Sequence, residues 1–283
     1  MQFIKSLAFH YAQLLWLLLA LPFVYGLLLY VLSKCTRKLF VKAGVPSVDI
    51  FVTGWIGVPL HELGHALFCV VFNHKIQEIQ LFKPNKQEGT LGYVTHSYNP
   101  QNWYQAAGNF FIGCGPMIIG VLMLYFVTLL FFSGTFILHP MQLVPLHENI
   151  SFVSFFTTTG HFVQQSFGSF WQFFKQQDFT SWQLWVYVYI TLAISSHMQL
   201  SMSDIRIMLR GLLVLCILLL FGMLIAEVWH FSVVARLAAS IVMNYLYALL
   251  LFALCVSALN FIISYICMAI VYAVRKRQFL SPF

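Results

Sequence analysis

Long apolar segments dominate this chain, and polar residues collect in short stretches between them. A transmembrane helix needs about 20 consecutive, mainly apolar residues. Segments that meet or approach this length occupy residues 8–32, 49–73, 107–138, 183–198, 207–229 and 238–273. The pattern predicts an all-α polytopic membrane protein with about six transmembrane helices, the first of them retained and not removed as a signal.

One connection follows a different period. Between the second and third apolar segments, residues 75–98 alternate apolar and polar positions as "IQEIQL" and "LGYVTH", with "PNKQEG" between them. Alternation with a period of two on both sides of a turn-forming stretch is typical of a β-hairpin. We therefore expect a small membrane-associated β-hairpin at this place.

A second connection, residues 151–181, is rich in aromatic residues. Its stretch "HFVQQSFGSFWQFF" places phenylalanines near helical spacing. This favours an interfacial amphipathic helix or a membrane-dipping segment. An aromatic belt beside the next span explains the same pattern.

Composition excludes an ordinary soluble domain. Of the 283 residues, 60% are hydrophobic and 8% are charged, whereas soluble domains carry about 25% charged residues. The net charge of +7 sits in short clusters that flank apolar segments, which indicates contacts with an anionic lipid bilayer and topology signals, and no nucleic-acid surface. These clusters are Lys34, Arg37, Lys38 and Lys42, and Arg275, Lys276 and Arg277.

Three ionisable residues interrupt the second apolar segment. They are His61, Glu62 and His65, in the stretch "HELGH". An ionised group at membrane depth costs about 2.5–3.5 kcal/mol, so such a group seldom persists without a role. On a helix, positions i and i+4 share one face, so both imidazoles can bind one Zn²⁺, and Glu62 can act as general base on the metal-activated water.

A catalytic zinc takes three protein ligands and a water molecule, so a third ligand must come from elsewhere. We favour Asp204, at the start of the segment 207–229; its other interpretation is a helix N-terminal cap. His197, seven residues earlier, is the alternative ligand, or else a residue that hydrogen-bonds a ligand or stabilises the transition state. Glu227, at the far end of the same segment, has only His230 as polar company and is expected at the membrane interface.

Taken together, these features resemble the site-2 protease family of intramembrane zinc metalloproteases. The resemblance covers roughly residues 49–229 and rests on "HELGHALF" in an apolar span, the β-like segment after it, "GNFFIGCGP" opening the next span, and a later aspartate at a span start. It implies a core of three transmembrane helices, with His61, His65 and Asp204 as zinc ligands and Glu62 as the base. Gly115-Pro116 is similar to the Gly-Pro turn of the family, whereas "HMQLSMSDIRIMLRG" lacks its Asn-Pro and Asp-Gly, as expected of a divergent member.

The sequence thus predicts one integral membrane domain over residues 1–283. Residues 1–48 hold the first span and a basic loop, 49–229 the metalloprotease core, and 230–283 the C-terminal span and basic tail. The predicted activity is zinc metalloendopeptidase cleavage of membrane-protein substrates in or near their transmembrane segments. The alternatives are a zinc-dependent membrane hydrolase of a small molecule or lipid, and a metal-binding scaffold without catalysis. The expected location is multi-pass in a bacterial-type plasma membrane.

Overall fold

The computed structural model is mainly helical. It describes residues 1–84, 91–132, 171–238 and 240–278, with isolated positions at 160–161, 164, 167–168 and 281. Its principal helices are α1 (Gln2–Leu15), a π-helical segment (Trp16–Ala20), α2 (Leu21–Lys42), α3 (Pro46–Val52), α4 (Gly54–Val71), α5 (Trp103–Phe132), α6 (Trp182–His197), α7 (Met202–Val228), α8 (Val233–Ala238) and α9 (Ile241–Lys276).

Within the described residues, five helical segments are long and apolar enough to cross a membrane. They are Phe3–Lys42, Gly54–Val71, Trp103–Phe132, Met202–Val228 and Val242–Lys276. The all-α polytopic membrane fold is thereby confirmed, and the chain is an integral multi-pass membrane protein.

Two segments differ in length from the predicted spans. The first helical run covers 40 residues, or about 60 Å, which is twice the thickness of the hydrocarbon core. Its basic last two turns continue the helix because Lys and Arg are good helix formers, although they end the apolar stretch. The fourth predicted span forms α6, which has 16 residues and a length of about 24 Å.

The predicted β-hairpin is confirmed. Strands β1 (Lys75–Gln80) and β2 (Tyr93–Ser97) pair antiparallel, with Lys75 opposite Ser97 and Gln80 opposite Tyr93. A register irregularity falls between Ile76 and Glu78. Of the predicted turn, residues 84–89, all positions after 84 lie outside the described residues.

Glycines set the close packing of the central helices. A methyl group on Gly64 of α4 would lie 2.7 Å from the carbonyl carbon of Gly115 in α5. A methyl group on Gly113 would lie 2.6 Å from the backbone nitrogen of Met208 in α7. Real Cβ atoms do not approach so closely, so these glycines bring the backbones of α4, α5 and α7 into contact, as small residues do in membrane proteins.

The outer helices pack around this centre. Helix α9 contacts α2, α5 and α6, and α1 contacts α7. The predicted interfacial segment, residues 151–181, is described from position 171 onward. Before that position, most of its residues lie outside the described part of the chain. Phe173, in the described part, is buried, and its ring centroid lies 5.1 Å from that of Phe132, so this residue packs against α5.

The prediction for Glu227 is wrong in one respect, because the residue has further polar partners. Ser6 donates a hydrogen bond of 2.5 Å to Glu227 Oε1, and His10 Nδ1 lies 3.0 Å from Oε2. Both partners belong to α1, which the linear pattern could not bring next to the end of α7. The three side chains therefore join the first helix to the central one.

Candidate metal centre

His61 and His65 occupy adjacent turns of α4 on the same face of the helix. Their ring centroids are 5.0 Å apart and their planes are inclined by 73°. The Gly64–Gly115 contact presses this part of α4 against α5, so His65 is buried and His61 is half-buried. The two rings therefore converge inside the helix bundle and do not face lipid.

Asp204, in the first turn of α7, completes a group of three. Its Oδ2 lies 3.4 Å from His61 Nε2, and its Oδ1 lies 3.2 Å from His65 Nε2. One ligand atom of each residue falls within 4.8 Å of the others. Among the described residues, His61, His65 and Asp204 thus form a possible metal-binding site.

The spacing of these atoms suits a small ion. An ion bound tetrahedrally through bonds of about 2.0–2.2 Å separates its ligand atoms by roughly 3.3–3.6 Å. The two nitrogen–oxygen distances, 3.4 and 3.2 Å, join the two imidazoles to the two different oxygens of the carboxylate and lie near that range. The three side chains are therefore close enough for one ion to lie between them.

Backbone carbonyls fix the tautomer of both histidines. His61 Nδ1 lies 2.7 Å from the carbonyl oxygen of His197, and His65 Nδ1 lies 2.8 Å from that of Ile112. A carbonyl oxygen can only accept a hydrogen bond, so both Nδ1 atoms must donate. In the neutral rings, both Nε2 atoms then carry lone pairs, as metal-ligating histidines require.

These lone pairs face the carboxylate of Asp204, which is only 4% exposed. Three electron-rich groups would repel one another in a buried site unless a positive charge lies between them. Without a metal ion, a proton on one imidazole pairs that ring with the carboxylate but leaves the lone pair of the other ring facing it, and protons on both rings place two buried imidazolium ions beside one another. A bound cation satisfies all three groups at once, and this is the strongest chemical indication of a metal site.

Asp204 also organises the start of α7. Ser201 is the N-cap; its hydroxyl accepts a hydrogen bond from Asp204 N at 3.2 Å, and its own amide donates to Asp204 Oδ2 at 2.6 Å. This reciprocal arrangement is a capping box. The alternative interpretation of Asp204 as an N-cap is thus close to the observed role. The carboxylate position is set by the helix terminus, which leaves it aimed at the histidines.

The ring of His197 lies elsewhere. Its Nδ1 is 2.9 Å from Ser196 Oγ and 3.3 Å from the carbonyl oxygen of Ala193, and its Cβ would lie 2.7 Å from a methyl group on Gly57. The structure therefore places Asp204, and not the His197 ring, with the two candidate ligands. His197 still contributes to the site, through the backbone carbonyl that orients His61.

Glu62 stands beside the triad and under the hairpin. It is 7% exposed and lines the same cavity as His61, His65 and Asp204. A methyl group on Gly92 would lie 2.9 Å from Glu62 Cγ and 2.8 Å from the carbonyl oxygen of Gln80. Glycine at position 92 thus lets the hairpin backbone pass directly over this carboxylate.

The cavity has a volume of about 560 Å³. Its walls come from α2, α4, α5, the β2 region, the end of α6, the first turns of α7 and the segment that joins these two helices. The neighbouring positions Leu91, Gly92, Tyr93 and Val94 all line it. Tyr93 and Val94 are adjacent in β2, so their side chains point to opposite faces of the strand, and no residue of β1 lines the cavity. This pattern indicates that the cavity borders the edge of β2 opposite to β1.

A histidine pair ties the hairpin to the end of α4. His74 Nε2 lies 2.8 Å from the carbonyl oxygen of Gln105 and therefore donates to it, so His74 Nδ1 accepts from His96 Nδ1 at 3.0 Å. Burial, followed by the neighbouring charge of His74, lowers the pKa of His96 to about 4. Burial also lowers the pKa of His74. Both rings are neutral near pH 7, which keeps this hydrogen bond intact.

Sequence reasoning missed the groups that position the ligands. The carbonyls of Ile112 and His197 leave no side-chain signature, so no sequence pattern could identify them. Ser201 could have been found, because Ser-x-x-Asp before an apolar run is a capping-box signal. Gly92 has no comparable signal, since glycine in a hairpin is ordinary.

Comparison of the chain with known protein families, with curated proteins and with solved structures finds no match in any of the three.

Proposed function

We propose that this chain is an intramembrane zinc metalloprotease that hydrolyses peptide bonds in or near transmembrane segments of membrane proteins. The observation that carries the proposal is the convergence of two Nε2 lone pairs and the Asp204 carboxylate within 4.8 Å, beside a buried glutamate and inside a helical membrane protein. The site-2 protease family, which the motif resembles, has the same chemistry.

Zinc is the ion that the donor set favours. Two imidazoles and one carboxylate are typical of a catalytic zinc site that keeps one position open. The same donors also bind non-haem Fe(II) on one face of an octahedron. We propose zinc over iron because the proposed reaction is a hydrolysis that needs an activated water molecule and no change of oxidation state.

The chain itself supplies the remaining groups. A zinc ion in this site would lower the pKa of a water molecule toward about 7 and polarise the scissile carbonyl. Glu62, adjacent in sequence to His61 and lining the same cavity, would take the proton of that water and pass it to the leaving amine. The carbonyls of Ile112 and His197 hold both imidazoles in the ligating tautomer.

The hairpin favours a peptide over a lipid substrate. A helical substrate must unwind before cleavage, because its carbonyls are engaged in its own hydrogen bonds. The edge of β2 that faces the cavity could then receive the extended segment by strand addition, in which backbone hydrogen bonds bind almost any sequence. An acyl chain has no such groups for a strand edge to recognise.

Zinc analysis and a fragment comparison test the proposal. We expect about one zinc per purified chain, and membrane-protein fragments in cells carrying the intact protein that are missing in cells carrying Glu62→Gln. Metal-free protein with full activity would refute zinc dependence. Zinc binding with altered lipids but unchanged fragments would favour the lipid hydrolase, and zinc binding with neither change would favour the scaffold.

A further inference from the structure

One wall of the cavity belongs to α2, which lies outside the residues that carry the metal triad. Tyr30, Ser33, Lys34 and Arg37 line this wall. Their spacing of three, four and seven residues puts them on one face of the helix. The basic cluster after the first apolar segment is therefore more than a topology signal, because two of its members border the space that contains the candidate metal site.

A hydrogen bond holds this wall close to the site. Ser33 Oγ donates to the carbonyl oxygen of Ser196 at 3.2 Å. The next residue, His197, offers its own carbonyl to His61 Nδ1 at 2.7 Å. Lys34 follows Ser33 directly. Its backbone is therefore connected to His61, a candidate ligand, through the two hydrogen bonds made by the adjacent carbonyls of Ser196 and His197.

The lysine marks the open end of the cavity. Lys34 is exposed, and its Nζ lies 5.5 Å from the ring centroid of Tyr30, one turn earlier. This contact holds the ammonium group by a cation–π interaction. The cavity thus has a buried end with the triad and a second, outer end with the basic side chains of Lys34 and Arg37.

Charge in the lining is distributed unevenly. Among the described lining residues, the only acidic side chains are Glu62 and Asp204, and both lie at the buried end. Asp204 faces the two histidines and Glu62 lies beside them. Neither serves as counter-ion for the outer end, which is complementary to an anionic group on a ligand.

We propose that Lys34, together with Tyr30 and Ser33, forms a subsite for an acidic side chain of the peptide substrate, a few residues from the scissile bond. The inference rests on the proposed function and names a feature of its substrates. An extended segment along the edge of β2 advances about 3.3 Å per residue, so residues flanking the cleaved bond pass from the triad toward the outer end. The shared strand edge favours a peptide carboxylate over a lipid headgroup as the partner of Lys34.

Binding by a cleavage-deficient variant tests the subsite. Zinc-loaded Glu62→Gln protein in zwitterionic phosphatidylcholine nanodiscs is titrated with fluorescein-labelled apolar peptides that differ only by Glu or Gln, scanned through successive positions. Anisotropy should show about two- to five-fold tighter binding of the Glu peptide at one or two positions, the range expected for an exposed ion pair. Adding Lys34→Gln should remove this preference, Lys34→Arg should restore it, and Lys34→Glu should transfer it to Lys-containing peptides.

Lys38→Gln is the matched control. It removes a neighbouring charge from α2 at an exposed position outside the cavity lining, so the preference for Glu peptides should persist. Equal binding of Glu and Gln peptides at every position would overturn the inference. So would a preference that Lys34→Gln and Lys38→Gln reduce equally, because this indicates a general surface potential.

Two further measurements separate the possible failures. Wild-type protein is assayed for cleavage of the same peptides; a Lys34-dependent binding preference without any cleavage supports the subsite and contradicts the proposed hydrolysis. The titration is repeated with anionic phosphatidylglycerol in the nanodiscs. If Lys34→Gln changes the protein only in these discs, Lys34 binds lipid headgroups and the inference is wrong.

Discussion

Lengthening the carboxylate side chain of Asp204 separates its role as ligand from its role in the helix cap. Asp204→Glu keeps the charge, and glutamate at this position is the preferred partner of Ser201 in a capping box. It also adds one carbon–carbon bond of about 1.5 Å. Metal–ligand distances tolerate about 0.2 Å, so the displaced carboxylate should no longer meet the ion that His61 and His65 approach.

The size of the effect follows from the ligand count. Zinc binding to four-ligand structural sites releases about 10–16 kcal/mol, or roughly 2.5–4 kcal/mol for each ligand when divided equally. Losing one ligand should therefore weaken zinc binding about 10²- to 10³-fold. The midpoint of thermal unfolding of the metal-free protein should stay the same, since the capping box survives.

Competition with a fluorescent zinc chelator in detergent micelles measures this change, and His197→Gln is the control. The His197 backbone carbonyl that orients His61 remains in this variant, so zinc affinity should stay within a few-fold of wild type. Wild-type affinity in Asp204→Glu would refute the assignment of Asp204 as a geometrically constrained ligand. A larger loss in His197→Gln than in Asp204→Glu would instead make His197 the third ligand.

Three other perturbations have defined outcomes. Glu62→Gln should retain zinc while cleavage falls about 10²- to 10⁴-fold, the usual contribution of a general base; cleavage at the wild-type rate would exclude that role. Gly64→Ala should destabilise the fold by about 1–3 kcal/mol in a thermal-unfolding assay, because the added methyl group clashes with the backbone of Gly115 and cannot relax by side-chain rotation. Gly222→Ala is the control. Open space surrounds this position, so the substitution should be neutral or stabilising in the same assay. Metal-free protein should lose stability as the pH falls from about 6.5 to 4, because the pKa of His96 is about 6.5 in the unfolded chain and about 4 in the folded protein. His96→Gln should reduce this loss of stability. An unchanged pH profile in this variant would contradict the lowered pKa of His96.

The parts of the fold that depend on local pattern could be predicted from the sequence. The helix that carries His61 and His65 follows from the length of its apolar segment, and the hairpin after it follows from alternation with a period of two. The choice between Asp204 and His197 could not be made in the same way, because the two residues lie on either side of a helix break. Residues 198–201 separate α6 from α7, and this break sends one side chain toward Gly57 and the other toward the histidines.

Contacts between segments that are distant in sequence could not be predicted from these patterns. The partners of Glu227 are more than 200 residues away in sequence, and hydropathy carries no information on such pairings. Helix α2 continues past the predicted span 8–32 to Lys42, since an apolar stretch indicates the part of a helix that suits lipid and not where the helix stops. The contact of the basic cluster with anionic lipid stays a prediction, and Lys34 also borders the cavity.

The two carbonyl hydrogen bonds constrain how the protein can open. His61 on α4 is tethered to the end of α6, His65 on the same helix is tethered to α5, and both face a carboxylate on α7. Four helices thus share one small polar junction, and separating any of them would break the ligand geometry. If the chain admits an unwound polypeptide, as proposed, its route should pass between α2 and the hairpin, whose separation breaks the hydrogen bond of Ser33 to Ser196 but none of the contacts of the junction itself.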